Sequence, residues 1–112
     1  MEKLVSRDKR IHIDFESRSV ADLRTLGSTI YAQHDSTEPL MLAVVTPEVE
    51  GVIDFMNDPR FAGVERKPFP ATLQKAIDED YTFVAHNARF EQDIWYWVCT
   101  QKWGWPFPKK WS

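Results

Sequence analysis

Cysteine is almost absent. Cys99 stands alone, which excludes an intrachain disulfide and a cysteine-rich zinc site. Long apolar runs are missing too: the longest, Leu40–Val45, falls far short of the ~18 residues a membrane span needs. No membrane partner is expected. The start, MEKLVSRDKRI, is charged and lacks the apolar stretch of a signal peptide, so a reducing, cytoplasmic setting is the expectation. Positive charge is not concentrated in the sequence. The net charge is −3, and no basic block exceeds Lys109-Lys110, so the basic face that grips duplex DNA nonspecifically is not evident. A nucleic acid substrate would have to be held by metal ions and local contacts. Internal repeats and low-complexity tracts are lacking as well.

What remains is enough for one compact domain of 112 residues, 43% hydrophobic and 28% charged, which is an ordinary balance for a globular chain. Arg10–Glu16 alternates, with Ile11, Ile13 and Phe15 apolar and His12, Asp14 and Glu16 polar, which predicts a half-buried strand. Ser19 can cap a short helix over Val20–Leu26 that Gly27 ends, with Asp22 near its positive end. Thr29–Ala32 reads as a second strand. Leu40–Val45, bounded by Pro39 and Pro47, reads as a central strand covered on both faces, and Gly51–Met56 as another strand. Asn57–Pro70 carries three prolines and reads as loop. Helical spacing returns in Ala71–Asp80 and Arg89–Lys102, separated by a short strand at Tyr81–Ala85. The pattern predicts an α/β (α+β) layer with a mixed sheet.

Asp14 and Glu16 lie two apart on a strand and therefore share a face, with Cα atoms about 6.5–7 Å apart. Two carboxylates so placed can converge on hard divalent cations. A pair of such ions can activate water on one side of a phosphodiester and stabilise the leaving oxygen on the other. An isolated D-x-E is more simply read as a strand whose polar face meets solvent, and alone it is a weak signal. The second constellation is F-V-A-H-N-A-R-F-E, residues 83–91, which reads as strand, tight connection and helix start. Glu91 falls in the first helical turn, where a carboxylate also suits the helix dipole. At 100° per residue Glu91 faces the sheet, whereas Asp93 lies about 200° around and is expected to be solvated.

The D-F-E strand followed by Ser17-Arg18, and then the segment A-H-N-A-R-F-E-Q-D-I-W, resemble the proofreading 3′–5′ exonuclease domain of bacteriophage family A (polymerase I-like) DNA polymerases. These are DEDD exonucleases of the ribonuclease H-like fold. Tyr31-Ala32, Asp35-Ser36-Thr37-Glu38 and the tail W-G-W-P-F-P-K-K-W are similar to the same phage branch, so the resemblance runs from Ile11 to Trp111. It implies that Asp14, Glu16 and Glu91 are the catalytic, metal-binding acids for two Mg²⁺ or Mn²⁺ ions. It also implies that Ser17, Val20, Asn87 and Phe90 contact a single-stranded DNA 3′ end. Glu91 departs from the wider family, which has Asp there. The family's third motif, a Tyr or His four residues before a last metal-binding Asp, does not follow Glu91 within these 112 residues. The expectation is thus a single domain over 1–112, incomplete at the C-terminus, with a ribonuclease H-like mixed sheet and flanking helices. It would need a second polypeptide for full activity and work in the host cytoplasm if phage-encoded.

The alternative is a small phage-derived binding protein that keeps the scaffold, lacks catalysis and holds a protein partner with its aromatic tail. A truncated remnant is a third possibility. Five tryptophans, at 95, 97, 103, 105 and 111, crowd the C-terminal end. Trp97 is expected in the core. Trp105 and Trp111 are expected in an exposed patch suited to a partner or to self-association. His12 is taken as incidental and His86 as part of the strand-to-helix junction.

Overall fold

The computed structural model describes residues 9–112; the charged start on which the leader-peptide expectation rests, residues 1–8, lies outside them. Strand β1 (Arg10–Arg18) takes up the predicted alternation: Ile11, Ile13 and Phe15 are buried while His12, Asp14 and Glu16 are exposed. Strand β2 (Glu38–Val45) runs antiparallel to β1, and β3 (Glu50–Asp54) antiparallel to β2. Strand β4 (Thr82–Val84) runs parallel to β1 on its other side, so the sheet order is β3-β2-β1-β4. Three helices, α1 (Leu23–Gln33), α2 (Ala71–Asp78) and α3 (Ala88–Ile94), complete a mixed α/β fold; α3 runs directly into a π-helix, Trp95–Thr100.

Helix α1 departs from the sequence reading. In place of a helix over Val20–Leu26 followed by a strand over Thr29–Ala32, one helical segment runs through both, and its cap is Asp22 rather than Ser19. The Asp22 carboxylate accepts from the Arg24 amide at 3.0 Å and from the Thr25 hydroxyl at 2.8 Å. Gly27 still interrupts the helix: at φ 81° and ψ 166° it kinks the axis in a backbone region that glycine enters without steric cost. The β-branched pair Thr29-Ile30 favours strand locally, but burial of Tyr31 and Ala32 on one helical face outweighs that weak preference.

Strand β2 is covered on one face only. Leu42 and Val44 are buried opposite Phe15 and Ile13, whereas Met41 and Ala43 are half-buried and Val45 is exposed. Helix α2 ends in a Schellman arrangement, with Asp80 in the left-handed region (φ 65°) and the Tyr81 amide donating to the Ala76 carbonyl at 2.9 Å.

The core is aromatic, and Trp95 is its hub. Its ring meets Phe15, Phe69, Phe83, Trp105 and Trp111 at centroid distances of 5.4–6.2 Å, all tilted steeply edge to face. Such pairs add ~0.5–1.5 kcal/mol each beyond area burial. The exposed Trp105/Trp111 patch expected from the sequence does not form. Trp105 is 2% exposed and its indole N–H donates to the Lys67 carbonyl at 2.7 Å; Trp111 is half-buried and donates to Pro108 at 2.9 Å. Trp97, expected in the core, is half-buried at its margin. The tail succeeds without regular structure because each buried indole finds a carbonyl acceptor. It also pairs with the sheet: the Phe83 amide donates to Lys110 and the Ser112 amide to Phe83, a parallel bridge beside β4.

Candidate active site

Cross-strand partners share a face, so the register sets the surroundings of the two β1 acids. Asp14 pairs with Ala43 and Glu16 with Met41, and Ala43 in turn pairs with Val52 on β3. His12 lies between Val45 and Val84. This is the open face of the sheet. At Glu16/Ser17 the β1–β2 register shifts, a bulge that ends the simple alternation and lets the half-buried Ser17 hydroxyl meet the Tyr31 hydroxyl at 3.0 Å.

Glu91 reaches β1 because β4 is short. The β1–β4 pairing ends at His12↔Val84, which leaves the later amides of β1 without a strand on that side. Helix α3 starts there, with Asn87 as its N-cap accepting a long, 3.5 Å hydrogen bond from the Phe90 amide. From the first turn Glu91 turns toward the gap. Its Oε2 accepts the Phe15 N–H at 2.9 Å across 76 residues of chain, and the side chain is only 3% exposed. Burial raises its pKa from 4.5 to about 7, opposed by the Phe15 hydrogen bond and reinforced by the charge of Asp14 and a hydrogen-bonding contact with it.

The structure thus brings Asp14 and Glu91 together. Glu16 shares the open face and is exposed, but among the described residues no group of three His, Cys, Asp or Glu side chains is placed to hold a metal ion. The donor chemistry fits a hard divalent cation in part. Asp14 and the buried Glu91 converge as a pair of carboxylates that such a cation could bridge, yet two side chains leave part of its six or more oxygen positions to be filled from elsewhere. Of the residues assigned to the DNA end, Phe90 is half-buried against Tyr31 at a centroid distance of 6.1 Å, so Ser17, Tyr31 and Phe90 form one cluster. Val20 is 82% exposed, with its amide bound to the Ser36 hydroxyl at 3.0 Å. The Asn87 side chain serves the helix cap.

Asp93 overturns the expectation that it is solvated. Its Oδ2 accepts from Ser28 at 2.6 Å, Thr29 at 3.0 Å and Arg89 at 3.1 Å, and its side chain is 13% exposed. Helical geometry does turn Asp93 away from Glu91, but toward α1 rather than toward water. The i,i+4 relation to Arg89 is the part of this clamp that sequence spacing can signal; the Ser28 and Thr29 partners are not, because the sequence pattern ends the helix at Gly27 and makes Thr29–Ala32 a strand. A second group missed in sequence is the hydroxyl chain behind Val20. Ser19 bonds Ser36 at 3.0 Å and Thr37 at 2.7 Å, and the buried Thr37 hydroxyl donates to the Tyr31 carbonyl. The open face also adds two histidines: His12 and His86 line, with Asp14, a cavity of about 220 Å³ floored by Ala43, Val45 and Val84.

No family model, curated protein or solved structure matches this chain. No helix among the described residues is long and apolar enough to cross a membrane.

Proposed function

We propose that the chain carries the first two acidic motifs of a two-metal 3′–5′ DNA exonuclease, the proofreading domain of a phage-type family A DNA polymerase on a ribonuclease H-like fold. The observation that carries the reading is the convergence of Asp14 and Glu91, residues on separate elements that meet where β4 ends beside β1. A mixed sheet with flanking helices and both first-motif acids on an inner strand supports it.

In this reading Asp14 and Glu16 would hold a divalent ion that activates the attacking water, and Asp14 would also help to hold a second ion. Bound divalent ions supply an activated water and stabilise the leaving oxygen of an in-line displacement. Glu91, at the sheet edge beside Asp14, would contact that second ion through water. Ser17, Val20, Asn87 and Phe90 border the terminal nucleotide, which leaves as a nucleoside monophosphate. The remaining acid and the residue that orients the water come from outside these 112 residues, on a further stretch of chain or a second polypeptide.

Paramagnetic broadening by Mn²⁺ tests the site directly. Signals of residues 14, 16 and 91 should broaden first and at loose, near-millimolar affinity, because most ligands of the ion remain water. Supplied with the completing region, the chain should trim single-stranded DNA from its 3′ end, and Asp14→Ala should abolish that trimming. Broadening centred elsewhere removes the shared site; trimming indifferent to Asp14→Ala removes the exonuclease assignment.

A further inference from the structure

The sheet has two edges, and the chain closes only one of them. Beside β4 the tail supplies a partner: the Phe83 amide donates to the Lys110 carbonyl and the Ser112 amide to the Phe83 carbonyl, both at 2.8 Å. Beside β3 no such partner exists among the described residues. Antiparallel pairs alternate between residues that exchange hydrogen bonds and residues whose N–H and C=O point away from each other. The Phe55 amide donates to Leu40 at 3.0 Å and the Thr46 amide to Val49 at 2.7 Å, so Leu40–Phe55, Leu42–Ile53, Val44–Gly51 and Thr46–Val49 are the exchanging pairs. Glu50, Val52 and Asp54 therefore aim their backbone groups outward. The Asp54 carbonyl accepts from the Asp58 amide, whereas the outward groups of Glu50 and Val52 have no partner among the described residues.

Gly51 lies between these two residues in ordinary strand geometry. Its φ is not in the left-handed region, the register runs through it without a bulge, and a Cβ there would meet no atom within 4 Å. Glycine weakens a strand, and the reasons internal to the chain are absent here; close approach by something outside the chain remains. Val49 and Ile53 flank Gly51 two residues to either side, so the glycine floors a notch in an apolar edge, with Val49 exposed. Carboxylates mark the rest of the edge. Glu38–Asp54 contains no Lys, Arg or His, and neither Glu48, Glu50 nor Asp54 is ion-paired among the described residues. Such an edge repels phosphate, and it repels a second copy of itself. Antiparallel β3–β3 pairing centred on Val52 sets Glu50 opposite Asp54, and centring on Gly51 sets Glu48 opposite Asp54, like charges that destabilise a cross-strand pair.

We propose that β3 accepts an extended segment of a partner protein as a fifth, antiparallel strand. Toward the open face the segment carries a basic, an apolar and a basic residue, opposite Asp54, Val52 and Glu50. Toward the other face it sets a large apolar side chain over Gly51. Backbone hydrogen bonds to Glu50 and Val52 hold the strand, and the alternating side chains select it. None of the residues assigned to catalysis or to the DNA end lies on β3, so partner binding stands or falls apart from the nuclease reading.

The test is an amide-detected NMR titration of the full 112-residue chain with a blocked peptide, Thr-Lys-Thr-Val-Phe-Lys-Thr. Run antiparallel, it places its lysines opposite Asp54 and Glu50 and its phenylalanine over Gly51. The amides of Glu50 and Val52 should shift first and gain protection from hydrogen exchange, while Phe83 on the closed side stays unchanged. A peptide with Glu in place of both Lys should bind about tenfold or more weakly, because two opposed charge pairs turn from attraction to repulsion. Glu50→Lys should narrow that preference. Gly51→Val separates a docking notch from an incidental glycine. It should hold or raise the stability of the free chain, since valine suits a strand, yet weaken the lysine peptide about tenfold or more. No binding at millimolar peptide, shifts centred away from β3, equal binding of the two peptides, or an unchanged preference in Glu50→Lys overturns the proposal. Undiminished binding by a folded Gly51→Val overturns it too. Protection of Glu50 and Val52 that grows with protein concentration alone would assign the edge to a second copy instead. An oligothymidylate shifting the same amides would assign it to nucleic acid, and either result also overturns the proposal.

Discussion

The two faces of the sheet are built from alternate residues of the same strands, yet they differ in almost every physical respect. The covered face presents Ile11, Ile13, Phe15, Leu42 and Val44 to Trp95 and its ring of aromatics. The open face presents His12, Asp14, Glu16, Met41, Ala43, Val45 and Val52, with Val52 62% exposed. One face stabilises the fold, and the other holds the residues with chemistry. Glu91 belongs to neither. It lies at the sheet edge beside β1, buried like the first and charged like the second, and its raised pKa records that conflict.

The largest effect expected from breaking the contrast is at the hub of the covered face. Trp95→Ala should cost about 3–5 kcal/mol, since it removes five aromatic contacts and leaves a cavity that rigid neighbours cannot close. Urea denaturation would measure it; a loss below about 1 kcal/mol would mean the aromatic cluster is not the centre of stability.

Next is the buried carboxyl. Because folding raises the Glu91 pKa from 4.5 to about 7, the fold favours the protonated form. Its stabilising contribution is complete below pH 4.5 and is lost as pH rises through 7. Stability should therefore increase from pH 8 to pH 5 by up to about 3 kcal/mol. Asp22, Asp54, Asp58 and Asp80 have lowered pKa values, so their contributions are lost only on further acidification, below about pH 4. Glu91→Gln keeps an acceptor for the Phe15 amide and removes the desolvated charge. It should raise the melting temperature at pH 8 and flatten the slope between pH 5 and 8. An unchanged slope would place the titration elsewhere.

Smaller again is the clamp between α1 and α3. Asp93→Ala strands the Ser28 and Thr29 hydroxyls and frees Arg89, at a cost of about 1–2 kcal/mol. Hydrogen exchange should accelerate in α1 before it does in the sheet. Uniform acceleration would make Asp93 part of the global core instead. The smallest effect belongs to the open face: Val52→Thr should change stability by less than about 0.5 kcal/mol. A larger loss in denaturation would show that this face is covered in solution.

Local periodicity determined much of the framework. The alternation in β1, the proline-bounded β2 and the helical spacing around Leu73 and Glu91 were readable because each is set by neighbours along the chain: a strand repeats every two residues and a helix every 3.6. The direction of Glu91 followed from the same rule. What periodicity could not supply was whatever depended on a partner distant in sequence. Thr29–Ala32 has strand-like residues, but burial of Tyr31 and Ala32 made it helix. Trp105 looked exposed in a proline-broken tail until the Lys67 carbonyl accepted its indole N–H. Asp93 looked solvated until α1 delivered two hydroxyls. The short β4 was legible in sequence, but its pairing beside β1 only as far as His12, which leaves Phe15 N–H open to Glu91, was not. Sequence therefore decided which residues could carry chemistry and which face each would take, because backbone geometry is local. Tertiary structure decided which of them meet and how dry their surroundings are, because hydrogen-bond pairing and desolvation depend on what the rest of the chain brings alongside.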